Sequence, residues 1–289
     1  MQKNSPQKEY FVDSSLMKMS DKEFQLLRNL VYTRLGINLT EKKRSMLIGR
    51  LQKLLHTSGF KSFQDYYDYL VREPNETAMV ELINRVTTNY SFFYRGKSHF
   101  EFFSQRAFPE LLETLRQRNS RDIRIWTAGC STGEEPYMLI MLMLEYLGLE
   151  YGLWDGGILA TDISEKVLRL AKEGIYPDGR VKELPPHLQK KYFNTMPDGQ
   201  LAIKDVVKRE VVFRKFNLKN DSYPFEKPFQ MIFCRNVMIY FDRQTRDKLL
   251  QRFYEITEPG GYLFIGHSET LGRDQQNYKY IMPAVYRKI

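Results

Sequence analysis

The sequence predicts an α/β fold: a largely parallel sheet with helices on both faces, preceded by a small all-helical domain. Three observations predict it. Short β-prone apolar runs alternate with helix-period segments through the second two-thirds of the chain. The stretch Ile123-Arg-Ile-Trp-Thr-Ala-Gly-Cys-Ser-Thr-Gly-Glu-Glu-Pro-Tyr137 passes from an apolar strand through Gly129 and Gly133 into a helix, the form of a first βα turn. Residues 15–95, before that turn, carry helical periodicity.

The elements follow in order. Residues 1–14 are polar and expected to be flexible. Ser20, with Glu23 three residues on, marks a helix start, and Phe24, Leu27, Leu30 and Val31 give its apolar face. After a turn at Gly36, Thr40 is expected to cap a second helix, Glu41 to His56. Two more helices are read over Ser62 to Arg72 and Glu76 to Val86, separated at Pro74. The domain boundary is placed at Arg95, and a helical segment from Lys97 to Arg118 leads into the glycine turn.

Gly157 to Thr161 reads as a second buried strand ended by Asp162, and Ser164 caps the next helix. Tyr176 to Asn194 is irregular. The runs Leu201 to Val207 and Val211 to Phe216 read as a hairpin, giving an inserted antiparallel β-subdomain at about 192–216 within a domain spanning 96–289. Phe229 to Cys234 is a further buried strand, and Asp242 caps a helix to Thr257. Pro259-Gly-Gly261 is expected to turn the chain into strands at Tyr262 to Ile265 and Ala284 to Lys288.

Composition narrows the function. With 289 residues, 42% hydrophobic and 14% aromatic, a small and a medium domain can each bury a core. A net charge of +9 implies an acidic partner: nucleic acid, an anionic membrane or an acidic protein surface. The charge is uneven, because from Arg34 to Lys61 seven Lys or Arg face one acid, Glu41. Cys130 and Cys234 form no CxxC pair, which suits a reducing cytoplasm. The longest apolar run, broken by Glu145, is too short to span a bilayer, and the N-terminus does not read as a signal peptide. The histidines show no metal-ligand spacing, so no metal is expected.

The chemistry is read at the glycine turn. Glu134 and Glu135 open its helix, where they would repel a pyrophosphate, so a cationic or polar ligand fits better than a dinucleotide. Asp162, at the end of the second strand, stands where an acid accepts hydrogen bonds from ribose hydroxyls. A nucleoside with a positive centre and no phosphate points to S-adenosylmethionine and methyl transfer. A rival stays open: Gly129-Cys-Ser131-Thr-Gly133 also matches a hydrolase elbow, with Asp162 and His267 in the right order. Against it, Asp162 closes the adjacent strand rather than a late one. Tyr240 lies beyond a strand edge where substrate should meet cofactor.

Thr87-Thr-Asn89-Tyr-Ser91-Phe-Phe-Tyr-Arg95, Ala128 to Tyr137, Ala160-Thr-Asp-Ile163, Cys234-Arg-Asn236 and Gly266-His-Ser-Glu269 together resemble the chemotaxis receptor methyltransferases, the CheR family. The resemblance implies a class I S-adenosylmethionine-dependent methyltransferase fold, Rossmann-like, with an all-α N-terminal domain and a β-subdomain. It implies a cytoplasmic enzyme, recruited to membrane receptor arrays, that methylates glutamates on chemoreceptor helices and leaves S-adenosylhomocysteine. Carried over, the cofactor residues are Asn89, Ser91, Arg95, Glu134, Asp162, Asn217, Leu218, Arg235 and Asn236. Arg95 and Tyr240 are implied near the reacting centre, and Lys43, Arg44, Arg50 and Lys53 on a receptor-facing helix. The turn near Lys208 and Arg209 lacks the glycine-rich loop of members that grip a receptor's C-terminal pentapeptide, so that tether is not expected. A glutamate is already ionised near neutral pH, so its methylation needs no general base. The nearest rival, a nucleic-acid methyltransferase, would often carry an Asn-Pro-Pro-Tyr type motif where this chain reads Cys234-Arg-Asn-Val.

Overall fold

The computed structural model describes residues 17–72, 76–87, 90–271 and 277–289; the N-terminus expected to be flexible, and Asn89, lie outside them. Four helices come first: α1 (Asp21–Leu35), α2 (Arg44–Thr57), α3 (Phe63–Arg72) and α4 (Glu76–Val86). Ser20 and Glu23 form the expected capping box of α1, with the Ser20 N–H donating to the Glu23 carboxylate at 2.7 Å. Thr40 does not cap α2. A 3₁₀ turn, Glu41–Lys43, intervenes without a side-chain cap, and α2 begins at Arg44. Phe24, Leu27, Val31, Leu47, Leu51 and Leu82 close a core of their own.

The chain continues through α5 (Lys97–Phe102), one π turn (Phe103–Ala107) and α6 (Phe108–Gln117), then β1 (Asp122–Ala128), α7 (Glu134–Leu147), β2 (Asp155–Asp162) and α8 (Glu165–Glu173). The π turn falls just before Pro109, which has no N–H for the regular helical ladder. Next come β3 (Ile175–Tyr176), α9 (Asp178–Val181), α10 (Pro186–Tyr192), β4 (Phe193–Thr195), β5 (Leu201–Ile203), α11 (Asp205–Lys208) and β6 (Val211–Lys215). The last elements are β7 (Phe229–Cys234), α12 (Arg243–Glu255), β8 (Thr257–Ile265), β9 (Tyr278–Met282) and β10 (Val285–Lys288).

The main sheet has the order β6-β2-β1-β7-β8-β10-β9, parallel from β6 through β8 and antiparallel at β10 and β9. Every residue of β7 is buried because helices cover both faces. Ile125, Phe233 and Phe264 share one core with Phe103, Phe108 and Met138, while Trp126, Ile232 and Leu263 share another with Leu249 and Phe253 of α12.

Two expectations are corrected. Leu201–Val207 and Val211–Phe216 do not pair as a hairpin: β6 runs parallel to β2 at the sheet's edge, and α11 separates it from β5. The small antiparallel sheet is β3-β5-β4, so it starts upstream of residue 192, and its tight turn is Met196–Gln200 rather than Lys208–Arg209. Pro259-Gly-Gly261 does not end a turn either. It lies inside β8, where the register against β7 shifts between Phe229 and Met231. Among the described residues, no helix is long and apolar enough to cross a membrane.

Candidate active site

A cleft of about 1020 Å³, counting its open mouth, lies over the carboxyl ends of β1, β2 and β7, where the strand order reverses. Ser91, Arg95, Asp162, Asn217, Leu218, Arg235, Asn236 and Tyr240 all line it, from segments far apart in sequence. Leu35 and Ile37 of the helical unit complete the wall. Tyr94, Ser131 and Asn236, on or beside it, hold left-handed backbone at φ 66°, 50° and 61°. Such conformations cost energy outside glycine and gather where geometry is used.

The floor is the turn after β1. Gly129 has φ +80°, and a Cβ there would stand 2.4 Å from a Val237 methyl, so only glycine lets the β1 and β7 loops approach. Asp162 crosses to this turn: its two carboxylate oxygens accept the Ser131 and Ser164 N–H groups, each at 2.9 Å. Burial raises its pKa from the ordinary value, against the opposing effect of those donors. Each oxygen keeps a lone pair for a hydroxyl donor. Beside it, Ile163, Phe216 and Leu218 form an apolar wall.

The loop after β7 forms the opposite side. Arg235, with its side chain 5% exposed, pairs with Glu135 at 2.6 Å, donates to the Arg95 carbonyl and lies over the Phe100 ring. The next residues are held by Glu269, whose carboxylate accepts the Asn236 and Ile239 N–H groups at 3.1 Å each and that of Gly266. Burial raises its pKa. Within Gly266-His-Ser-Glu269 it is the glutamate rather than the histidine that shapes the cleft, by holding the loop after β7.

One placement differs from expectation, and two others carry contacts beyond the cleft. Glu134 is not on the wall: it is 0% exposed, accepts from Thr132 at 2.8 Å and pairs with Arg180 at 2.8 Å, and its neighbour Glu135 faces the cleft instead. One step along a helix turns a side chain by about 100°, so sequence does not choose between adjacent acids. Asn217 lines the cleft, but its side chain also donates to the Arg34 carbonyl and accepts from the Lys219 N–H, both at 3.0 Å, latching α1 to the sheet edge. The latch continues where the Asn38 N–H donates to the Tyr240 carbonyl at 2.7 Å, placing Tyr240 between the two units.

Of the basic residues, Arg44 pairs with Asp21 and Arg50 donates to the Arg85, Val86 and Thr87 carbonyls that end α4. Lys43 stands 5.5 Å over the Tyr240 ring, and its partial burial lowers its pKa. Lys53 is exposed. No hydrolase constellation forms: Asp162 is turned to backbone N–H groups, while His267 is stacked at 4.3 Å on His99 and is not on the cleft wall. Burial pushes the Cys130 thiol well up, which keeps it protonated.

Acceptors for ribose hydroxyls at Asp162 and an apolar wall for a base fit S-adenosylmethionine. The fold and cleft are those of a class I S-adenosylmethionine-dependent methyltransferase. Residues 22–87 match the CheR methyltransferase all-alpha domain, and residues 89–286 match the CheR methyltransferase SAM binding domain. The chain is 44% identical to a chemotaxis protein methyltransferase of Borreliella burgdorferi, over 92% of this chain and 94% of that one. It is 35% identical to the chemotaxis protein methyltransferase of Escherichia coli, over 93% and 92%. The chain therefore belongs to the CheR methyltransferase family.

Proposed function

We propose that this enzyme methylates glutamate side chains on the cytoplasmic helices of chemoreceptors, forming methyl esters in chemotactic adaptation. The observation that carries the reading is that Arg95 and Tyr240 line the same cleft as Asp162. S-adenosylmethionine supplies an electrophilic methyl group on a sulfonium. Asp162 accepts the ribose hydroxyls, Ile163, Phe216 and Leu218 flank the base, and Ser91, Glu135 and Asn236 line the remaining wall. Arg235 and Asn217 act mainly by fixing the segments they bind.

The acceptor carboxylate is held by the Arg95 guanidinium and the Tyr240 hydroxyl. It is ionised before it arrives, so the chain has only to align it and keep water away. Close approach to Arg95 lowers its nucleophilicity, so the role of Arg95 is orientation. An acidic receptor helix meets the basic side of the helical unit through the exposed Lys53 and Lys42. Docking through the small sheet is not part of this reading, because its turn Met196–Gln200 has the single glycine Gly199. Receptor helices also account for the positive charge without nucleic acid.

The test incubates the protein with methyl-labelled cofactor and receptor cytoplasmic fragments, then measures methanol released by mild base. Label that leaves as methanol is expected. Arg95→Ala should lower turnover about 10²-fold while leaving cofactor affinity nearly unchanged. Base-stable label, or none while cofactor still binds, would contradict the glutamyl ester.

A further inference from the structure

The segment 90–95 is a strap that lines the cleft through Tyr90, Ser91, Phe92 and Arg95, and it makes a set of contacts that the proposed chemistry does not use. Its Phe93 inserts edge-on between Tyr176 and Phe193 of the small sheet, with ring centroids 4.9 and 5.3 Å away. The Phe93 N–H donates to the Arg180 carbonyl at 2.9 Å. The Arg180 guanidinium reaches back along the strap: it donates to the Ser91 carbonyl, lies 5.1 Å over the Tyr90 ring and pairs with Glu134 at 2.8 Å. Tyr176 closes the circuit, its hydroxyl donating to the Thr132 carbonyl at 2.7 Å in the glycine turn.

We propose that Arg180 is a positioning residue for methyl transfer: through Ser91 and Tyr90 it sets the strap over the cofactor cleft, using the buried Glu134 carboxylate as its anchor. The inserted small sheet is thus a seat for the roof of the cofactor site. Arginine suits the place because one planar fork serves carboxylate, carbonyl and ring together, which a single ammonium does not. The chain of contacts explains why Glu134 is fully buried yet adjacent to the site, and it holds the ring of Tyr90, 60% exposed at the mouth, while the Arg95 guanidinium donates to the Tyr90 carbonyl at 2.9 Å. The inference rests on the reading of the cleft as the S-adenosylmethionine site.

The experiment measures S-adenosylhomocysteine affinity by calorimetry, kcat, and melting temperature for wild type, Arg180→Lys, Arg180→Gln and the double variant Arg180→Met with Glu134→Gln. Arg180→Lys keeps a cation beside Glu134 and should melt near wild type, yet bind product at least about tenfold more weakly and turn over about 10²-fold more slowly, the scale of a misplaced reacting group. The double variant removes the stranded buried charge, so it should recover melting temperature relative to Arg180→Gln without recovering affinity. Affinity and kcat that follow melting temperature through all three variants would make Arg180 a structural residue and overturn the proposal. Wild-type affinity in Arg180→Lys would overturn it as well. Failure of wild type itself to bind S-adenosylhomocysteine would instead sink the cofactor reading, and this inference with it.

Discussion

Arg235 at the cleft rim and Arg50 on α2 are both spent inside the chain, but to different ends. Arg235 joins Glu135 on α7 to the Arg95 carbonyl on the strap, so it fixes two walls of the cleft at once. A Cβ on Gly96 would fall 2.3 Å from its guanidinium, which shows how tightly the strap is drawn onto it. Arg50 closes the end of α4, which stabilises the helical unit. Arg44 is likewise held by Asp21 and the Met19 carbonyl. A run of basic residues is therefore not by itself a docking surface: Arg44 and Arg50 of α2 serve the fold, while Lys53 and, in the turn before α2, Lys42 are exposed.

The contrast can be broken on α2 most strongly at Arg50. Arg50→Ala strips the donor from three carbonyls and should cost roughly 2 kcal/mol of unfolding free energy by urea titration. Lys53→Glu should change stability by less than about 0.5 kcal/mol but weaken association with an acidic receptor fragment, more so at low salt. Equal stability losses in the two would erase the distinction between them.

A pH-dependent effect lies behind the rim. His99 is buried, donates to the Pro283 carbonyl at 3.2 Å and has its pKa pulled from 6.5 to about 3, first by burial and then by the Arg235 charge. The folded state thus binds fewer protons than the unfolded state between those values. Stability should fall as pH drops through that window. In His99→Phe the urea midpoint should decline less between about pH 7 and about pH 5; an unchanged slope would show that the imidazole does not set it.

Much of this was legible in the chain. Gly129, Gly133 and Asp162 mark a βα turn and the end of the neighbouring strand, and both signals are local. What escaped depends on distant pairing. β6 alternates buried and exposed residues like half of a hairpin, yet its partner is β2, about fifty residues upstream, and its exposed face reflects an edge position. Pro259 reads as a break, but β8 absorbs it at a register shift. Arg180 sits in a proline-bounded stretch with no periodicity, so its link to Glu134 across the sheet edge has no linear trace.

The most direct measurement is calorimetric titration of S-adenosylhomocysteine into wild type and Asp162→Ala, with folding checked by circular dichroism. Saturable binding to wild type and its loss in a folded Asp162→Ala are predicted. Undiminished binding to the variant would contradict the placement of the cofactor's ribose at the end of β2, and with it the cleft as drawn.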